Sequence, residues 1–165
     1  MDMLDRYLGY ERWTLRHFIV RCQELTPAQL HRRFDIGPET VYDTMNHIIG
    51  NIEVWTDLMR ERQVRDLPKL PDEIEVWLQR FDAAMADFDD FARIIVDSNR
   101  LDDTYLDVLD NPPTRKTFGG TILHVLTHTT VHRWEVQHMV QRLGLGNLIE
   151  GDALSWDTRA QRQEL

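Results

Sequence analysis

Thr121-Ile-Leu-His124-Val-Leu-Thr-His128-Thr-Thr-Val-His132-Arg133 sets three histidines at intervals of four. At about 3.6 residues per turn, that interval stacks the imidazoles on one face of an α-helix, with Cβ atoms about 5–6 Å apart. Glu135 projects within about 20° of His128, so the face carries three imidazoles and a carboxylate. Val125, Leu126, Val131, Val136 and Met139 fill neighbouring directions. Part of the face is therefore expected inside a helical core. The helix opens at Gly119-Gly120-Thr121 and closes near Leu143, where Gly144 supplies the C-terminal cap.

The same period recurs upstream. Over residues 3–25 the apolar positions Leu4, Leu8, Trp13, Leu15, Phe18, Ile19 and Cys22 trace a first amphipathic helix. Thr26-Pro27-Ala28-Gln29 has the N-cap, N1 proline and reciprocal glutamine of a capping box, and starts a short helix ending near His31. Gly37-Pro38 punctuates the chain. A second long helix runs from about Glu39 to Arg62 on Val41, Met45, Ile48, Ile52, Trp55, Leu58 and Met59. Pro68 and Pro71 make a loop, because neither permits helix propagation through it. A third long helix opens at Pro71-Asp72-Glu73, with acids in its first turn, and reaches about Asp97.

Residues 98–119 break the pattern. Tyr105–Leu109 and Thr114–Phe118, split by Asn111-Pro112-Pro113, read either as a small hairpin or as irregular loop. Leu145 to Leu165 reads as a mostly polar tail anchored by Trp156. The expected fold is all-α: a four-helix bundle with one long irregular connection before the last helix, in a single domain over residues 1–165.

Composition narrows the function classes. Of 165 residues, 42% are hydrophobic and 28% charged, a globular mixture. With 19 basic and 28 acidic residues the net charge is −9. That lacks the basic footprint that displaces counterions from nucleic acid. The longest apolar runs fall far below the ~18 residues that cross a bilayer. Met1-Asp2-Met3-Leu4-Asp5 is acidic where a secretory signal is basic, so cytoplasmic residence is expected. Cys22 is the only cysteine; in its apolar setting it reads as a small buried hydrophobe.

Two imidazoles one turn apart can converge on one metal ion. The competing reading is a set of core or surface histidines, each satisfied by a hydrogen bond. Burying several imidazoles without partners is costly, and a metal removes that cost by using their lone pairs, so the spacing favours metal. A third ligand is expected from another helix, and the best candidate is His47, midway along the second long helix. Asp43, one turn earlier, either orients that imidazole or handles a proton near the metal; equally it is a solvated first-turn acid. His17, His31 and His138 lack such company. Arg133 projects about 140° from His128, which suggests a structural role or a dimer contact.

His47-Ile-Ile-Gly-Asn-Ile-Glu53-Val-Trp55, followed by Leu123-His124-Val-Leu-Thr-His128-Thr-Thr-Val-His132-Arg133, resembles the DinB-like superfamily of bacterial metalloproteins. The likeness covers nearly the whole chain. It implies a divalent metal held by His47, His128 and His132, with His124 beside the site but not a ligand. Where many members read His-Arg-Gly-Gln, this chain has His132-Arg133-Trp134-Glu135, and the glutamate adds a base or fourth ligand on the site face. The resemblance also implies a homodimer, for which Trp13, Trp55, Trp77, Trp134 and Trp156 are candidate interface residues, although tryptophans are more often core.

Three imidazoles on a divalent ion, zinc or nickel above all, leave a coordination position open. Members of the family with assigned activity use low-molecular-weight thiols for S-transfer or isomerisation, and others have been viewed as hydrolases. The leading expectation is an enzyme that activates a small thiol for transfer to a small electrophilic substrate, with Asp43 and Glu135 handling protons. A hydrolase using activated water comes second. A non-catalytic protein whose metal pins two helices together comes third.

Overall fold

The computed structural model describes residues 1–164. The chain is mostly helical, with α1 over Met3–Arg21, α2 over Pro27–Leu30, α3 over Val41–Met59, α4 over Ile74–Asp97, α5 over Phe118–Arg142 and α6 over Ala153–Gln161. A two-stranded antiparallel sheet, β1 (Thr104–Asp107) and β2 (Thr114–Thr117), interrupts them. α1 packs on α4 and α5, and α3 packs on the same two helices. Their apolar stripes bury Phe18, Ile19, Met45, Ile48, Trp77, Phe81, Phe88, Val136 and Met139 in one core.

Side-chain caps start most of these helices. Asp2 and Asp5 form a reciprocal capping box on α1, and Thr26 with Gln29 does the same for α2. Thr40 caps α3 and Thr117 caps α5. At the end of α5, Gly144 has φ +95°, the left-handed conformation that lets Leu145 N–H return to Val140 O at 3.1 Å.

Two expectations resolve. The 98–119 link does form a hairpin, in which Tyr105 stands opposite Lys116. Opposed residues of an antiparallel pair leave the same face. Tyr105 is buried and donates to or accepts from Thr121 Oγ1 at 2.8 Å. Lys116 is thereby directed inward, towards α3. The residues after Leu145 are not simply a polar tail. Asp152 accepts from Ser155 N at 2.9 Å and caps α6. Trp156 is buried against Gly9, where a side-chain carbon would collide with the indole. One large aromatic provides enough apolar area to hold a helix of nine residues on α1.

Buried charges tie elements together. Arg80 donates to Glu53 Oε2 at 2.6 Å and Arg65 donates to Asp57 at 2.6 Å, fastening α4 and the 60–73 connection to α3. Arg133 is fully buried; its Nε lies 3.5 Å from Glu11 Oε2, and its Nη2 donates to Tyr10 OH at 2.6 Å. It joins α5 to α1 within the chain. Cys22 is also fully buried, and burial pushes its thiol up to about 12, which removes it from nucleophilic chemistry at neutral pH. Among the described residues no helix is long and apolar enough to cross a membrane.

Candidate metal centre

α3 and α5 run against each other, and the outer rim of their contact carries the histidines. Met45, Ile48 and Ile52 of α3 and Val125, Leu126 and Thr129 of α5 fill the inner side. His47 therefore lies at the mouth of the groove between the helices and is exposed, while His128 and His132 are half-buried. The expectation that part of the α5 face lies inside holds for Val125, Leu126, Val136 and Met139, while the histidines stand at its margin. The core takes the apolar faces of both helices, and Val131, expected on the buried side, is 57% exposed.

His128 Nε2 lies 3.1 Å from His47 Nε2 and 3.2 Å from His132 Nε2. The three residues offer ligand atoms all within 4.8 Å of one another. Nitrogens bound to one tetrahedral ion at about 2.0–2.1 Å stand about 3.3 Å apart. The spacing suits a shared ion with little movement.

Proton accounting points the same way. Glu135 Oε2 accepts from His132 Nδ1 at 2.6 Å. A neutral His132 donating there has only a lone pair left at Nε2. His128 Nε2 faces both other rings and can satisfy one of them at a time with a proton, and its buried Nδ1 has no partner among the described residues. An ion satisfies all three Nε2 lone pairs together. Burial lowers the His128 pKa to about 4, assisted by the charges of His132, His47 and His124. His47 is also lowered, by desolvation against the neighbouring helix first and by His132 second, with Glu135 opposing. Both are neutral at pH 7, the form that binds metal.

The remaining expected residues divide. His124 is exposed and its ring centroid is 5.2 Å from that of His128, so it stands beside the three and outside their cluster. Glu135 does not face the groove as a free base; it lies behind His132 and sets that ring's tautomer and orientation. Asp43 accepts from Thr40 Oγ1 at 2.9 Å and pairs with Lys69 at 3.3 Å. Partial burial raises its pKa, but the Thr40 and Lys69 hydrogen bonds and the charges of Lys69 and His31 outweigh this, leaving it lowered. Its observed partners are thus Thr40 and Lys69, not His47. The three solitary histidines stay apart: His31 pairs with Asp72 at 2.9 Å, while His17 and His138 lie outside the cluster.

Sequence reasoning missed Gly37. It has φ +49°, and any side-chain carbon there would overlap the Glu135 carboxylate. The Gly37-Pro38 turn thus lies directly against the group that steadies His132. Gly37→Ala is expected to displace Glu135 and weaken metal binding roughly 10–100-fold, the usual effect of losing an outer-sphere carboxylate. Chelator competition on folded protein measures it, and unchanged affinity would dissociate Gly37 from the centre. Nothing local marks this role, since Gly-Pro reads as a turn wherever it occurs.

His124 also lines a neighbouring pocket of about 510 Å³, walled by Trp55, Thr117, Gly120, Thr121, Lys116 and Asp110 as well. The Trp55 and His124 rings meet edge-on at 5.4 Å, and Lys116 Nζ lies 5.7 Å from the Trp55 ring centroid.

Comparison with curated protein sequences gives no match. A family model does match, over residues 12–136, a span that takes in α3, the hairpin and all three clustered histidines. With three imidazoles from two helices meeting at Nε2 and three quarters of the chain covered by that model, the chain belongs to the DinB superfamily.

Proposed function

We propose that His47, His128 and His132 hold a divalent transition metal, zinc or nickel, through Nε2, and that the protein is an enzyme activating a small thiol for transfer to an electrophilic substrate. The observation that carries this reading is the meeting of three Nε2 atoms at the mouth of an open groove. Three neutral ligands leave at least one position for an exogenous group, and the exposure of His47 leaves that position reachable. A divalent ion held there supplies a Lewis acid that stabilises a bound thiolate at neutral pH.

The chain's own groups favour a thiol over water. A hydrolase that relies on either acid expected to handle protons needs that carboxylate free to take a proton from water. Glu135 is committed to His132 and Asp43 to Thr40 and Lys69. A thiol has less need of such a base, because its proton is lost once its pKa falls below the ambient value. Glu135 holds His132 in the tautomer that presents Nε2, and the pocket beside His124 offers room for the organic part of a substrate.

Turnover of a model electrophile is expected only when metal and an added thiol are both present. A thiol of pKa about 8.5 is only about 3% thiolate at pH 7, so full ionisation is worth roughly 30-fold in rate. The gain over the uncatalysed reaction is expected to shrink as pH rises above 8. Ester or amide cleavage without thiol supports the hydrolase instead.

A further inference from the structure

The pocket beside the triad has a chemistry of its own. Its evident cation, Lys116, has every ammonium proton engaged: Asp107 Oδ2 at 2.8 Å, Asp110 Oδ2 at 2.7 Å and Thr114 Oγ1 at 3.3 Å. The first turn of α5 is equally occupied. Phe118 N–H donates to Asp103 O, Gly119 N–H to Leu101 O and Gly120 N–H to Thr117 Oγ1, at 3.0, 2.8 and 3.1 Å. The two features that ordinarily draw an anion therefore have no donor left to offer.

The spare capacity is of the opposite kind. Asp107 is buried and already neutralises Lys116, which leaves Asp110 as an excess negative charge at the rim. Its Oδ2 serves Thr114 and Lys116, while its Oδ1 has no hydrogen-bond partner among the described residues. The Lys116 and Thr114 hydrogen bonds hold its pKa below the usual carboxylate range, so it is ionised at neutral pH. The same pocket is lined by the half-buried Trp55 ring, whose face attracts cations, as the position of Lys116 Nζ illustrates.

We propose that this pocket takes the protonated amine of a small organic cation, with Asp110 Oδ1 accepting from the ammonium and the Trp55 ring lying against it. Resting on the reading of the triad as the centre that binds the reacting end, the inference makes the substrate or thiol of this protein an amine-bearing molecule. Asp110 and Trp55 become the residues that select it. The pocket itself requires no metal.

Benzylamine, benzyl alcohol and phenylacetate serve as probes of one shape and three charges. Their binding is read from the Trp55 indole N–H resonance, assigned with Trp55→Phe, on metal-free and on metal-loaded protein. Benzylamine is expected to bind about tenfold more tightly than benzyl alcohol, and phenylacetate least. Asp110→Asn is expected to erase the preference for the amine, and Asp110→Glu to keep it, which separates charge from hairpin damage. Equal binding of all three probes, a preference for phenylacetate, or an amine preference untouched by Asp110→Asn overturns the proposal. Amine selection in a protein that takes up no metal would leave the pocket standing and remove the enzymatic reading. Metal uptake without amine selection would do the reverse.

Discussion

Protein with His128→Ala, purified without a histidine tag, is expected to carry background metal where the parent carries close to one ion per chain. His128 is the middle of the three, within 3.1 and 3.2 Å of the other two Nε2 atoms, so its loss separates the remaining pair and leaves two ligands on different helices. The fall in affinity is expected to exceed the roughly 10–100-fold that loss of an outer-sphere partner brings. His47→Ala is the sharper test of the assembly, because it is the only one of the three from α3. His124→Ala is the control and is expected to retain its metal. A heat-denaturation scan reads the same events. An ion at a hundred times its dissociation constant stabilises the folded chain by about 2.7 kcal/mol, and that increment is expected to vanish in the His128 and His47 variants. Near-stoichiometric metal in His47→Ala protein would remove α3 from the centre.

Arg133→Ala is expected to produce the largest loss of stability of any single substitution considered, on the order of 3–5 kcal/mol. Arg133 and Glu11 are both buried, at 0% and 1% exposure, and each is the other's charge partner between α5 and α1. Taking away the guanidinium strands a carboxylate in the core, with Thr130 Oγ1 at 2.5 Å as its remaining hydrogen-bond donor. For a chain of this length that corresponds to a fall in Tm of about 10 °C or more. The paired replacement Glu11→Leu with Arg133→Met removes both charges and is expected to recover most of the loss.

Acid separates the two variants further. Burial already holds the Glu11 carboxyl above its ordinary range, against the pull of Arg133 and Thr130. A carboxyl raised by folding contributes stability below its unfolded pKa, near 4.5, and loses it as pH climbs through the folded value. Without Arg133 the folded value moves higher still. The deficit of Arg133→Ala is therefore expected to be smallest near pH 5 and largest above pH 7, while the double variant shows no such slope. Urea denaturation at both pH values measures this, and a pH-independent deficit would mean that Glu11 is not the group left stranded.

Much of this molecule is written in short-range pattern. The four long helices follow from apolar residues recurring every three to four positions; three of them start at the caps Asp2, Thr40 and Thr117, and the short α2 starts at Thr26, each cap acting within three residues of itself. The alignment of His124, His128 and His132 is equally local, since a helix needs only its own hydrogen bonds to place positions four apart together. α6 escaped that reading because its stability comes from one indole docking on Gly9, a contact between residues far apart in sequence. The hairpin stayed ambiguous for a related reason. Two four-residue strands are marginal until Tyr105 finds the core.

What the sequence determined by itself is therefore the helices, their inward faces and a row of imidazoles capable of binding metal. Tertiary structure alone decided that His47 of α3 meets the α5 pair and how far from solvent the three imidazoles stand. Nothing in the order of residues lays the Gly37 turn against Glu135, turns Asp43 towards Lys69, or lays Lys116 over Trp55. Each depends on the rotation of one element about its axis relative to another. That rotation is fixed by the close packing of the entire apolar interior, a collective quantity to which every buried side chain contributes.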